Sequence, residues 1–215
     1  MLLTAASLTA QAQDLSKYRD FQFGADVATV AKVMGASPSQ AKLIHSRPAL
    51  LQELVWRPQS LGPSPKVESA QEVVFSFFNG SLFRIAVKYE RYATEGLTTE
   101  DFIEGISGMY GTPAKLPATV RPPKESYGDQ EEAVARWENR QYRFDLLRDS
   151  YGPTYTLVGI LKNLEGPVQA ATVEAKRLDD LEAPQRDAAR IATEQDAKAA
   201  GLEKARIVNK PKFRP

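Results

Sequence analysis

The chain has 215 residues, of which 42% are hydrophobic and 26% charged, and its formal net charge is +1. This composition argues against wholesale disorder, and the near-neutral charge gives no global case for nucleic acid or an anionic membrane as a partner. Cysteine is absent and His45 is the single histidine, which excludes disulfides, thiolate metal sites, cysteine nucleophiles and a histidine-based metal cluster. We therefore expect no metal, no other cofactor and no nucleic-acid partner.

The first twelve residues have the pattern of a signal peptide. A short apolar run is followed by Ala10-Gln11-Ala12, which fits the small-residue rule for cleavage. We therefore expect an exported bacterial protein, periplasmic or secreted, whose mature chain starts near Gln13. An apolar first helix or a frayed tail is the alternative for this segment. No later segment reaches the ~20 apolar residues of a membrane span, so none is predicted.

The first predicted helix follows an aromatic segment. Asp26 can cap a helix whose apolar side chains recur at helical spacing, and Gly35 can end it. Gly24 is interpreted as the turn that joins an edge strand over residues 18–23 to this helix. A phosphate cradle is not expected here, because it needs several glycines and a parallel-sheet context. A second helical stretch is predicted over residues 37–44, with Ser at its cap and Pro in its first turn.

Three strands are predicted to follow these helices. The first is a short segment ending at Trp56, and the other two flank Asn79-Gly80. This dipeptide is favoured in two-residue hairpin turns, which need positive φ. On the second arm of the hairpin, alternate apolar residues starting at Phe83 share one face, and Arg84 and Lys88 share the other. This period of two predicts a sheet with one buried and one wetter face.

The same order of elements is predicted a second time. Thr98 and Asp101 approximate a capping box, and Gly111 can end the helix that follows. Three antiparallel strands are then predicted within residues 133–163. The helix is expected to bury one apolar stripe, formed by Phe102, Ile106, Met109 and Tyr110.

The predicted fold class is α+β, with two helix-plus-three-stranded antiparallel meander units over residues 13–92 and 93–165. Residues 25–38 and 100–113 share the spacing of an Asp, a Met, a Gly and a Pro. This echo indicates either an internal repeat or the chance likeness of two capped helices that end in glycine.

The pattern aromatic-x-aromatic-Gly at residues 21–24, a short helix ending in Gly and a three-stranded meander resemble two kinds of small exported bacterial module. These are the BamE-type outer-membrane assembly proteins and the tandem-repeat β-lactamase inhibitor proteins. The resemblance covers residues 18–162 at the level of element order. It implies a non-enzymatic module that binds protein through a sheet face or loops. The chain lacks the lipobox cysteine usual in the first family and the disulfides usual in the second.

Residues 166–215 are predicted to form a solvated, polar helical arm with a basic tail. The segment is rich in good helix formers, and Pro184 is predicted to divide it into two helices. Its large apolar residues are too few for a long coiled coil. The tail, which includes Lys210, Lys212 and Arg214, could contact anionic lipid, cell-wall polymer or an acidic partner, or could be a solvated end.

The sequence offers one weak catalytic pattern. Ser39 and Lys42 match S-x-x-K, in which a lysine assists a serine nucleophile, but neither S-D-N nor K-T-G follows. A helix-start serine and a solvent lysine explain the same four residues. His45 has no sequence-evident acid and serine partners. No catalytic residue is therefore predicted, and a small envelope hydrolase using Ser39 and Lys42, or carboxylates, is kept as an alternative.

The remaining candidates for function are basic residues on the outward strand faces. Arg84, Lys88, Arg136 and Arg143 could form one basic surface with an aromatic rim if the two predicted sheets are continuous. An ordinary solvated sheet face is the alternative. We predict a non-enzymatic exported binding or scaffold module that uses a sheet face, loops or the C-terminal arm. A purely structural subunit of an envelope complex is a further alternative.

Overall fold

The computed structural model describes residues 14–58, 69–116, 131–149, 154–212 and 214. The chain divides into two units, Met1–Gln169, called the sheet unit, and Ala170–Pro215, called the helical unit. The predicted signal peptide, residues 1–12, lies outside the described residues. The regular elements are β1 (Lys17–Tyr18), β2 (Phe21–Gln22), α1 (Val27–Met34), β3 (Lys42–His45), β4 (Leu51–Trp56), β5 (Ala70–Phe78), β6 (Ser81–Tyr89), α2 (Thr99–Tyr110), β7 (Glu131–Glu138), β8 (Tyr142–Asp149), β9 (Tyr155–Leu161) and α3 (Lys162–Asn209).

Seven of the strands form one antiparallel sheet in the order β3-β4-β5-β6-β9-β8-β7. The predicted α+β class is confirmed, with a large antiparallel sheet and a long C-terminal helix. The strands of the two predicted meanders lie in this single sheet, because β6 pairs with β9 from Arg84–Ile160 to Lys88–Thr156. The first meander has one strand more than predicted, since β3 precedes the strand that ends at Trp56.

The predicted hairpin at Asn79-Gly80 is confirmed. Both turn residues have positive φ, 50° and 80°, as a two-residue turn between β5 and β6 requires. The turn also forms two hydrogen bonds with Leu50, the residue before β4. The Asn79 N–H donates to the Leu50 carbonyl at 2.8 Å, and the Leu50 N–H donates to Asn79 Oδ1 at 3.0 Å.

The predicted starts of α1 and α2 are confirmed by their caps. Asp26 Oδ1 accepts a hydrogen bond from the Thr29 N–H at 2.7 Å, and Thr98 with Asp101 forms a reciprocal capping box at the start of α2. The predicted burial of Met109 is wrong, since its side chain is 55% exposed. The buried arc of α2 is instead set by Phe102, Ile106 and Tyr110, with Ile103 packed beside them.

The helix predicted over residues 37–44 is wrong beyond its first turn. A 3₁₀ helix covers Pro38–Gln40, and the chain is already extended at Ala41. Lys42 and Leu43 then pair with Glu53 and Gln52 of β4. Pairing to the neighbouring strand therefore outweighs the local helix-start signal, as tertiary context commonly does for short segments.

The aromatic segment before α1 is a separate two-stranded ribbon, and the prediction of an edge strand there is wrong. β1 and β2 pair with each other across a turn in which Arg19 has a φ of 52°. The predicted turn at Gly24 is confirmed by a φ of 83°, and its N–H donates to the Leu82 carbonyl of β6 at 2.9 Å. The ribbon lies against the core, because the rings of Phe21 and Phe75 are 4.4 Å apart.

The core lies on one face of the sheet. Trp137 is buried, and its Nε1 donates to the Gly111 carbonyl at 2.8 Å, while Trp56 is partly buried and packs against the core. Gly159 lies beside Phe144 on the adjacent strand. Across the sheet, paired positions on this face form one row, called the core row: Leu54, Phe75, Ile85, Gly159, Phe144 and Trp137.

The Tyr110 hydroxyl is the polar group of α2 that enters this core. It donates to the Lys17 carbonyl at 3.1 Å, and its ring stacks on Phe144 with centroids 4.4 Å apart. Burial raises the pKa of Tyr110 well above its usual value, and the negative charges of Tyr18 and Asp14 act in the same direction. The neutral phenol is therefore the form that the folded protein accommodates.

We expect the free energy of unfolding to fall as the pH rises above about 10, the pKa of an unfolded tyrosine. The sign follows from the raised pKa of Tyr110. Below about pH 10 the phenol is neutral in both the folded and the unfolded chain, so the contribution of Tyr110 to stability is complete. At higher pH the unfolded chain ionises more readily than the folded protein, and this contribution is lost. Tyr110→Phe should lower stability near pH 8 by about 1 kcal/mol through the lost hydrogen bond, and should show a smaller alkaline fall. Urea unfolding of both proteins near pH 8 and above pH 10 measures this, with Tyr92→Phe as control because Tyr92 is 83% exposed. An equal alkaline fall in Tyr110→Phe would contradict the expectation.

The helical unit is built from α3, and the predicted division at Pro184 is wrong. The helix runs without interruption from Lys162 to Asn209, through Pro184. Proline removes one backbone donor, and Arg186 Nη2 donates to the Asp179 carbonyl at 2.9 Å, close to the affected turn. All residues from Pro184 to Lys212 are exposed. No helix within the described part of the chain is both long and apolar enough to cross a membrane.

Candidate functional site

The face of the sheet opposite the core row, called the charged face, carries the basic residues predicted on the strands. Paired residues of antiparallel strands share a face, so Arg84 of β6 and Arg143 of β8 both lie beside Ile160 of β9 on this face. Arg136 lies beside Asp145, and Lys88 beside Thr156. The continuous sheet therefore brings the four predicted basic residues to one face.

Two of these arginines are engaged by carboxylates. Arg136 Nε lies 2.5 Å from Asp145 Oδ1, and Arg143 Nε lies 3.0 Å from Asp145 Oδ2. The Arg143 guanidinium also donates to both carboxylate oxygens of Glu165, at 3.1 and 2.6 Å. Asp145 is 8% exposed, so it is a buried charge held between two arginines. We call these four residues the arginine–carboxylate cluster.

The environment shifts the pKa of two arginines in opposite directions. Burial lowers the pKa of Arg143, but the hydrogen bonds with Glu165 and the charge of Asp145 outweigh burial and leave the pKa above its ordinary value. For Arg84 burial dominates and lowers the pKa, although the charges of Glu53 and Glu131 oppose it. Both side chains remain cationic, since arginine stays protonated in proteins.

A further ion pair lies on the charged face at the end of β7. Lys162 Nζ lies 2.9 Å from Glu138 Oε2 and donates to the Asn139 carbonyl at 3.1 Å. The hydrogen bond from Lys162 lowers the pKa of Glu138, and the nearby charges of Lys162, Arg136 and Arg143 act in the same direction. The charges of Arg136, Arg143 and Lys162 are thus matched by Asp145, Glu165 and Glu138, and these pairs are suited to fixing the sheet and the start of α3.

The sheet edge at β3 is a feature that the sequence analysis did not identify. β3 ends the strand order on one side. The other end, β7, is partly covered because the Ala114 N–H donates to the Arg136 carbonyl at 2.7 Å. Leu43 and Ile44 on β3 are 54% and 39% exposed. Two further exposed apolar residues lie on β4 or just before it, Leu50 and Val55.

This group, called the β3 edge, holds half of the large exposed apolar residues of the described sheet unit. The others are Val33, Tyr92, Leu97 and Met109. An alternating strand signal could have revealed it, but Lys42–His45 is too short to show a period of two. Within the described residues β4 is the strand that pairs with β3, and exposed apolar side chains beside such an end strand are typical of surfaces that bind another chain.

The residues of the weak catalytic pattern are all accessible to solvent or half-buried. Ser39 lies in the 3₁₀ helix, where its hydroxyl is 2.8 Å from that of Ser37, and Lys42 is an exposed residue at the start of β3. A lysine that assists a nucleophile is normally desolvated, and the exposure of Lys42 does not provide this. His45 is half-buried at the end of β3. Among the described residues, no group of three or more histidine, aspartate or glutamate side chains is placed to hold a metal ion.

The predicted basic tail lies in the helical unit. Lys210 and Lys212 belong to a 3₁₀ helix that directly follows α3. Arg214 lies beyond it, and all three residues are exposed. The tail and the strand arginines therefore belong to different units of the chain.

The described residues form an α+β fold with a seven-stranded antiparallel sheet, an arginine–carboxylate cluster on its charged face and exposed apolar side chains at its β3 edge. Comparisons with protein-family models, with curated protein sequences and with solved structures returned no significant match for this chain.

Proposed function

We propose that this protein is a non-enzymatic binding module that takes up an extended segment of a partner protein along β3. The observation that carries the proposal is that β3 ends the strand order of the described sheet while its Leu43 and Ile44 are 54% and 39% exposed. An added strand would gain main-chain hydrogen bonds from the edge and apolar contacts from these side chains, which is the usual logic of strand addition.

The chemistry of the edge favours a short apolar partner segment. Soluble proteins usually protect an edge strand with charged side chains, bulges or a short length. β3 is short and begins with Lys42, but its middle carries the exposed apolar side chains of Leu43 and Ile44. Lys42 at its start is exposed and suits an acidic residue on the partner. The irregular register between Leu43 and His45 limits the regular edge to a few residues, so the added segment would be short.

Export is the second part of this proposal. It is supported by the apolar run and Ala10-Gln11-Ala12 near the start of the sequence, which match a signal peptide and its cleavage site. The partner is then a protein of the bacterial envelope or of the surroundings. The arginine–carboxylate cluster on the charged face is assigned a structural role in this proposal, because Arg136 and Arg143 are engaged by Asp145 and Glu165.

A photo-crosslinking residue at position 43, in the full chain expressed in bacteria, tests the proposal. We expect the protein in the periplasmic fraction or the medium, with an intact mass that shows cleavage near Gln13. A defined adduct should form at position 43 and should decrease at least tenfold when Ile44→Lys is added. The matched control places the same residue at Leu97, which is exposed to a similar degree, 47%, in the loop before α2. It should give no such adduct.

The outcomes separate the alternatives. Equal adducts from positions 43 and 97, or an adduct that Ile44→Lys does not weaken, would remove the β3 edge as the binding surface. An adduct between two copies of the chain would indicate self-association through this edge. A stoichiometric complex that survives purification would instead indicate a permanent subunit of an envelope assembly.

A further inference from the structure

We propose that the end of the helical unit, residues 202–212, binds anionic lipid surfaces. This inference goes beyond the proposed function and uses a different part of the chain. The segment, called the basic end, carries four basic side chains and a single acidic one, Glu203. Its residues are all exposed. The basic side chains are Lys204, Arg206, Lys210 and Lys212.

The basic end differs in charge from the rest of the exposed helix. Earlier arginines of α3 pair with acids on the same helix: Arg177 with Glu174, Arg186 with Asp179, and Arg190 with Asp187 and Glu194. In the basic end, Glu203 Oε2 lies 3.5 Å from Arg206 Nη1. The segment contains no second acidic residue that could pair with its three lysines. The positive charge of the helical unit is therefore concentrated at this end.

Exposed apolar side chains lie among these basic residues. Leu202 and Ile207 are each 64% exposed, and Val208 is 55% exposed. A nucleic acid or a charged polymer would engage the basic groups alone. An anionic membrane offers phosphate groups to the lysines and an apolar boundary to Ile207 and Val208, which lie next to each other around the helix, so it fits both features. Charge complementarity and the exposed aliphatic residues thus select a lipid surface as the partner.

Binding of the full chain to vesicles of phosphatidylcholine, with and without phosphatidylglycerol, tests this proposal. We expect co-sedimentation with the anionic vesicles only, and loss of binding as salt is added. Each basic residue near an anionic surface contributes about fivefold to partitioning. Lys210→Gln with Lys212→Gln should therefore weaken binding about 25-fold. Arg186→Gln with Arg190→Gln, which removes two basic residues that are paired with acids, is the matched control and should change it far less.

A second pair of changes distinguishes lipid from other polyanions. Ile207→Ser with Val208→Ser keeps the charge and should weaken vesicle binding several-fold, while leaving any binding to soluble polyglutamate unchanged. Equal binding to neutral and anionic vesicles, no binding to either, or no response to the loss of Lys210 and Lys212 would each overturn the proposal. Binding to polyglutamate without binding to vesicles would also overturn it. None of these changes touches the β3 edge, so failure here is separate from failure of the proposed function.

Discussion

Replacing Gly159 with alanine is expected to lower the free energy of unfolding by about 3 kcal/mol, at the upper end of the usual cost of overpacking a core. The new Cβ would lie within 2.9 Å of Cδ1 and Cζ of Phe144, and nearer still to Cε1. Carbon atoms prefer separations of about 3.5–4.0 Å. Phe144 is fully buried, and its ring stacks on that of Tyr110 with centroids 4.4 Å apart, so it cannot withdraw without disturbing the core row.

Chemical denaturation of both proteins measures this difference, and the chain offers a matched control. Gly105 lies in α2 with no atom within 4 Å of the position that a Cβ would occupy. Gly105→Ala should raise stability by up to about 1 kcal/mol through helix propensity. Phe144→Leu, which removes the ring atoms that clash, should partly rescue Gly159→Ala. A Gly159→Ala protein as stable as the unmodified one would show that the ring is not held as described.

Asp145→Ala is expected to cost about 3–5 kcal/mol, the range found when one partner of a buried ion pair is removed. Asp145 is 8% exposed and contacts both Arg136 and Arg143. Its loss leaves two guanidinium groups close together on the charged face. Glu165 can still compensate Arg143, but Arg136 loses its two hydrogen bonds to Asp145.

The control for Asp145→Ala lies on the same two strands. Arg148 Nη2 is 2.9 Å from Glu132 Oε2, and these side chains are 45% and 66% exposed. Glu132→Ala should therefore change the free energy of unfolding by at most about 1 kcal/mol, as for other surface pairs. Similar costs for Asp145→Ala and Glu132→Ala would mean that the arginine–carboxylate cluster contributes little more than a surface pair. Urea unfolding at neutral pH gives both values.

Local signals in the sequence were sufficient for the elements whose geometry is encoded within a few residues. The turn at Asn79-Gly80 needs positive φ, which these residue types supply. The capping box of Thr98 and Asp101 closes over a single helical turn. In contrast, β3 is formed by pairing with β4, and the four residues Lys42–His45 carry no periodic signal of their own. The local signals at Ser37 therefore predict a longer helix than the one that the structure has, which ends at Gln40.

The candidate site was predicted in part for the same reason. Alternation along each strand was enough to place Arg84, Arg136 and Arg143 on the face away from the core. Their partners could not be predicted, because Glu165 is 22 residues from Arg143 and meets it only through the turn from β9 into α3. Continuity of the sheet likewise depends on pairing between β6 and β9, which no local pattern encodes. The position of β3 at the end of the described sheet follows only from the strand order.

The strand order determines when the two sides of β6 can both be paired during synthesis of the chain. β6 pairs on one side with β5, its neighbour across a tight turn, and on the other with β9, which ends at Leu161. Until that strand has been synthesised, one side of β6, which becomes the middle of the sheet, lacks its partner strand. Such long-range pairing is slow and leaves hydrophobic strands open to wrong partners. A chain that ends before β9 therefore leaves the side of β6 that pairs with β9 exposed, together with the apolar residues of β6.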